Sequence, residues 1–242
     1  FGGELVVGLY GAVAQLMQPF QIISHSLVLA VFPKMTKAIE SGKDSQRQIS
    51  QLTIEILLIV ALPLIVGLTF VGKDLLVLLY HDPSFAEAQL ALNIFSLGLI
   101  ASSFSRPLSY LLVANGFENV NLWQVFITTI LDVLLSIILV SQYQLNGAVS
   151  TVIFTDFIAL FIYIYEVHRR LFKLNFWSTI NRPLIVSMLM VPVFLILQQL
   201  SLNIISILLI STLSYFLFVA SLGIYTVYTS NDEWAKLLLK RK

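Results

Sequence analysis

The sequence contains no cysteine, which excludes disulfides, iron–sulfur ligation and thiol nucleophiles. It has only three histidines, His25, His81 and His168, and they lie too far apart to give a metal-ligand spacing. Charge is scarce: 11% of the 242 residues are Asp, Glu, Lys or Arg, against about 25% in a soluble domain. No phosphate-binding loop, dinucleotide fingerprint or nucleophile elbow is present. Nothing in the sequence therefore asks for a cofactor or a metal. The start at Phe1 lacks the charged leader and cleavage site of a signal peptide. We read the chain as a piece of a longer polypeptide.

What the sequence has instead is apolar length. Hydrophobic residues make up 58% of it, with a mean hydropathy of +0.90, so the expected class is an all-α integral membrane protein. A crossing needs about 20 mostly apolar residues. Seven stretches qualify: 5–32, 51–71, 86–113, 120–140, 146–168, 183–200 and 203–229. Between them lie breakers: Pro33 with the polar run to Ser50, Gly72 to Pro83, Asn115-Gly116, Asn146-Gly147, and Asn181 to Pro183.

The basic residues orient the spans. Lys34, Lys37, Lys43 and Arg47 follow the first span; Arg169, Arg170, Lys173 and Arg182 follow the fifth; Lys236, Lys240, Arg241 and Lys242 follow the seventh. If the spans alternate, all of these share one side, and only Lys73 falls opposite. The positive-inside rule makes that side cytoplasmic, with the N-terminus outside and the C-terminus inside. Trp123, Trp177 and Trp234 fall at inner span ends, as interfacial anchors do. Orientation accounts for the basic loops without nucleic acid as a partner.

Ionisable residues inside a bilayer cost roughly 2.5–3.5 kcal/mol on insertion scales and mark bundle interiors or wet cavities. His25, Arg106, Asp132 and Asp156 are the candidates; Glu55 and Glu166 sit near inner ends and reach the interface. At about 1.5 Å per residue, His25 and Arg106 lie about 10 Å above the inner ends of their spans. Asp132 and Asp156 lie nearer the midplane. Gly11, Gln15, Gln18, Gln21 and His25 share one face of the first span, about 120° wide. Ser102, Ser103, Arg106, Ser109 and Tyr110 share a face of the third. Such stripes serve either as helix–helix glue or as a cavity wall. The length of the glutamine stripe and its ending in a histidine favour the wall, as does an arginine on the other helix. Asp132 and Asp156 fit a structural role better, with cation coupling as the second reading. Pro19, Pro63, Pro107 and Pro192 fall inside spans and predict kinks, which suit a transporter that rocks between states.

The stretch Val6 to Lys43, VVGLYGAVAQLMQPFQIISHSLVLAVFPKMTKAIESGK, resembles a recurring segment of the polysaccharide flippases. These belong to the multidrug/oligosaccharidyl-lipid/polysaccharide (MOP) exporter superfamily. Gly8-Leu9-Tyr10 and Phe32-Pro33 match its helix start and end, Pro63 its next helix. Leu112 to Gly116 and Leu145 to Thr151 look like a later helix end and helix start. The likeness covers about residues 2–170; the last two spans agree by number and position.

The resemblance implies most of the C-terminal lobe of a MATE-like two-lobed transporter, with the N-terminal lobe of the same chain absent. Residues 1–172 would be a five-helix part of that lobe, and 173–242 two additional helices with a basic cytoplasmic tail. It implies flipping of polyprenyl-diphosphate-linked oligosaccharide across the cell membrane by alternating access, for surface polysaccharide such as O-antigen. The implied partners are the bilayer, the lipid-linked sugar, and a polymerase or glycosyltransferases. Arg106 would meet the diphosphate, with His25, Gln15, Gln18, Gln21, Ser102, Ser109 and Tyr110 lining the path. The alternative within the superfamily is a cation-coupled drug exporter or a peptidoglycan-precursor flippase, with Asp132 or Asp156 as the coupling site. A membrane-embedded glycan polymerase or acyltransferase is a weaker alternative. It needs a large extramembrane loop or a catalytic cluster, and neither is visible.

Overall fold

The computed structural model describes residues 3–200 and 202–229, and of residues 222–229 the backbone alone. The basic tail from Lys236 and the anchor Trp234 lie outside the described residues. The described residues form helices alone: α1 (Glu4–Glu40), α2 (Lys43–Tyr80), a 3-10 segment (Pro83–Ala88), α3 (Gln89–Ser96), α4 (Gly98–Ala114), α5 (Glu118–Arg170), α6 (Phe176–Gln199) and α7 (Ile204–Thr229). It divides into two compact units, Phe1–Pro183 and Leu184–Lys242.

Each helix end has a local cause. Between α1 and α2 the chain turns at Gly42, whose φ of 96° suits a residue without Cβ. α2 ends at His81, a left-handed cap whose N–H bonds the Val77 carbonyl. The next turn is capped by Asp82, whose Oδ1 accepts the Ser84 N–H at 2.8 Å. α4 ends in a paired closure: Gly116 (φ 76°) donates to Val113 and Phe117 to Leu112, both at 2.9 Å. That is the Schellman arrangement the Asn-Gly pair predicts.

Six helices are long and apolar enough to cross a membrane, among the described residues. One of them, α5, is a helical hairpin. Its run breaks at Gln144 (φ 48°, ψ −118°), and the two arms return antiparallel. The Tyr163 hydroxyl on the second arm donates to Gln124 on the first at 2.7 Å. The bend is tight enough that a Cβ on Gly147 would run into the Leu139 carbonyl. α5 therefore supplies the fourth and fifth expected crossings.

Four boundaries differ from the sequence expectation. Pro33 does not end α1, which runs seven residues further to Glu40; Met35 and Ala38 are buried and keep the helix docked. The expected polar loop to Ser50 is thus helical except at Ser41 and Gly42. Gly72 lies inside α2 because α3 packs directly on it: an added Cβ would sit 2.7 Å from Leu92 Cδ2. The third span is interrupted at Leu97, not at Pro107, which sits within continuous α4. There Gly98 packs so closely that a Cβ would lie 2.7 Å from Ile153 Cδ1 on α5.

The first unit has two cores. One joins Ile54, Phe104, Leu108, Leu111, Leu160 and Val167; the other joins Leu9, Val13, Met17, Leu76, Leu92 and Val149. Its loops sort by end. Lys43 Nζ donates to the Arg170 carbonyl (3.4 Å), Gln51 to the Asn175 carbonyl (3.2 Å) and Asn115 to Gln46 Oε1 (3.0 Å). The basic turns after the first and fifth spans therefore share one end of the bundle, as alternation requires. In the second unit, Val186, Met190, Phe194 and Leu197 recur on one side of α6 and are buried.

Candidate functional site

α1 has two unlike faces. Leu9, Val13, Met17, Phe20, Ser24 and Val28 are buried, at the three- and four-residue spacing of a helix packed on its neighbours. Gln15, Gln18, Gln21 and His25 are exposed. The polar stripe is thus the side of α1 that the unit's own packing leaves open.

α4 lies beside this face and reaches onto it. Arg106, half-buried, donates from Nη1 to the Gln21 backbone carbonyl at 3.1 Å. One turn on, the Tyr110 ring meets His25 edge-on with centroids 6.3 Å apart, and Phe32 at 5.6 Å. Arg106, Tyr110, Gln21 and His25 thus form one continuous surface from two helices. Toward the non-basic end, the Tyr80 hydroxyl donates to Gln15 Oε1 at 2.8 Å, and its ring stacks on Phe85 at 4.4 Å. This contact ties α1 to the end of α2 across 65 residues of sequence.

The serines of α4 do other work. Ser102 and Ser103 both donate back to the Leu99 carbonyl, at 3.1 and 2.6 Å. Ser109 neighbours the Tyr163 hydroxyl on α5. These satisfy hydroxyls inside the bundle, in the way serine is tolerated in membrane helices.

The acids fall on the α5 hairpin, equidistant in sequence from its break at Gln144, and hence at one level. They are not separate from the arginine. The charges of Arg106 and Asp156 act on one another, as do those of Asp156 and Asp132. The Tyr10 phenol on α1 lies in the electrostatic range of both acids. Asp156 occupies space that Gly98 leaves: a Cβ there would lie 3.2 Å from its Oδ2. Asp156 thus lies in electrostatic range of Arg106 as well as of Asp132, which links the two expected levels.

Tyr10, Tyr80 and Gly98 belong to this arrangement, and the two tyrosines carried no readable site signal in apolar runs. Gly98 alone, a glycine inside a helical pattern, marks a close approach.

Apolar helices with an exposed polar surface at membrane depth, built around an arginine, define a multi-pass membrane protein. Residues 6–226 match the family model described as Lipid II flippase MurJ. The chain belongs to that family, within the superfamily that the motifs resemble. It is 25% identical over 171 residues to the capsular polysaccharide biosynthesis protein CapF of Staphylococcus aureus, covering 70% of this chain and 43% of that one. Its fold is that of a solved lipid II flippase MurJ in an inward closed conformation, with a TM-score of 0.73 and 16% identity, over 90% of this chain and 46% of that one. The chain spans less than half the length of either relative. Of the readings within the superfamily, the family match favours the peptidoglycan-precursor flippase over the polysaccharide one.

Proposed function

We propose that this chain forms one lobe of a flippase that carries a polyprenyl-diphosphate-linked sugar across the cytoplasmic membrane by alternating access. The cargo in this reading is the peptidoglycan precursor lipid II. The protein moves its substrate and makes or breaks no bond in it. The observation that carries the reading is the Arg106–Gln21 contact, which joins two polar stripes into one surface on the open side of the unit. A guanidinium presents five donors in a fork that fits phosphate oxygens, and only one is committed to Gln21. Gln18, Gln21 and His25 offer hydrogen bonds to sugar hydroxyls alongside it. The basic end faces the cytoplasm, so diphosphate entering from that side meets Arg106 in the inner half of the membrane.

A second reading keeps the fold and changes the sugar to a capsular repeat unit. The similarity to CapF favours it. Complementation separates the two. The whole transporter should sustain growth of a strain depleted of its lipid II flippase, and Arg106→Ala at wild-type abundance should not. Rescue of a capsule-flippase mutant alone would move the cargo to the second reading. Full rescue of growth by Arg106→Ala would remove the arginine from the path.

A further inference from the structure

Arg106 is a half-buried cation without its obvious anion. Its one hydrogen bond goes to a neutral carbonyl, that of Gln21. Asp156 is the acid whose charge acts on it, yet the two form no ion pair within 4 Å among the described residues. Asp156 in turn takes no hydrogen bond among the described residues. A carboxylate and a guanidinium at membrane depth gain most when paired and hydrogen-bonded, so leaving both open has a cost. The other charge in reach is Asp132, of the same sign as Asp156, and further titratable neighbours are the phenols of Tyr10 and Tyr110 and the His25 imidazole against Tyr110.

From this we infer that Asp156 is the internal competitor of the substrate's diphosphate for Arg106: it takes the guanidinium back when the cargo leaves. The inference rests on the flippase reading above. Arg106 has two stations. On the open face it is steadied by Gln21 and presents its free N–H groups to the diphosphate. Turned toward α5, it pairs with Asp156, whose Oδ2 packs beside Gly98. A diphosphate carries more charge than one carboxylate and wins while the site is loaded. Once the surrounding surface opens to water, the diphosphate is solvated, and Asp156 retains the arginine. Asp156 is in this sense a positioning residue that lowers affinity in order to permit release.

The geometry separates this role from simple support. A supporting acid, once neutralised, weakens binding and turnover together. A competitor, once neutralised, tightens binding and slows turnover. In the whole transporter, Asp156→Asn should bind lipid II at least about fivefold more tightly, a coupling of ordinary allosteric size. It should flip it more slowly in liposomes by a similar factor. Asp156→Glu, which keeps the charge, should restore both. In an Arg106→Ala background, Asp156→Asn should leave affinity unchanged. Should Asp156→Asn fail to accumulate, Asp156→Ser reads the same comparison. Weaker or unchanged binding in the neutral variants, with Arg106→Ala still weakening it, overturns the inference and leaves the flippase reading intact. Unchanged binding in Arg106→Ala overturns the arginine's role, and this inference with it.

Discussion

The two faces of α1 are made of the same backbone and sit in the same membrane, yet they are governed by different demands. On one face Val13 and Val28 are fully buried and Met17 nearly so, held by dispersion contacts that depend on shape. On the other, Gln15, Gln18, Gln21 and His25 are exposed. The first face explains why the lobe holds together. The second contributes little to that and makes sense as a surface for something that arrives. The difference teaches where stability ends and function begins: substitutions on the packed side should be read in folding, those on the open side in transport.

The largest effect is expected where packing leaves no freedom at all. Gly147→Ala would place a methyl group on the Leu139 carbonyl at the α5 bend, and we expect a loss of about 3 kcal/mol or failure to accumulate. Thermal unfolding of the protein in detergent measures it. Met17→Ala, on the packed face of α1, should cost about 2 kcal/mol, whereas Gln18→Leu, one residue away on the open face, should stay within about 0.5 kcal/mol. The same pair should reverse in a transport assay normalised to folded protein, with Gln18→Leu the more impaired. Equal stability losses for the two would erase the distinction between the faces. A similarly small effect is expected at the Tyr80–Gln15 hydrogen bond, which links the open face to α2. Tyr80→Phe removes the donor to Gln15 and should cost about 0.6 kcal/mol, the average for an interhelical bond in a membrane.

Much of the topology was legible because its punctuation is local. Asn115-Gly116 announces a left-handed cap, and Asn146-Gly147 lies within three residues of the actual break at Gln144. The polar stripes were legible because helical periodicity is a property of one segment. Pro33 misled for a physical reason: proline costs a helix one hydrogen bond, but the buried Met35 and Ala38 beyond it offset that loss. The interruption at Leu97 carries no breaker of its own and follows from Gly98 packing on Ile153. Nor could the sequence place Asp156 in reach of Arg106, or Tyr80 against Gln15. Those depend on which helices are neighbours. Straight-helix depths treat each span alone, and so separated charges that the fold brings together.

The central claim, that the open face of α1 and α4 meets the transported diphosphate-linked sugar, is tested most directly by site-specific photo-crosslinking. A photoreactive residue is placed at Gln18, and another at Val133, which is exposed on the first arm of α5. The whole transporter is then irradiated in membranes containing radiolabelled lipid II. The account predicts strong capture at residue 18, abolished by excess unlabelled lipid II, and only background at residue 133. Equal capture at the two positions, or labelling at residue 18 that excess lipid II does not displace, would contradict it.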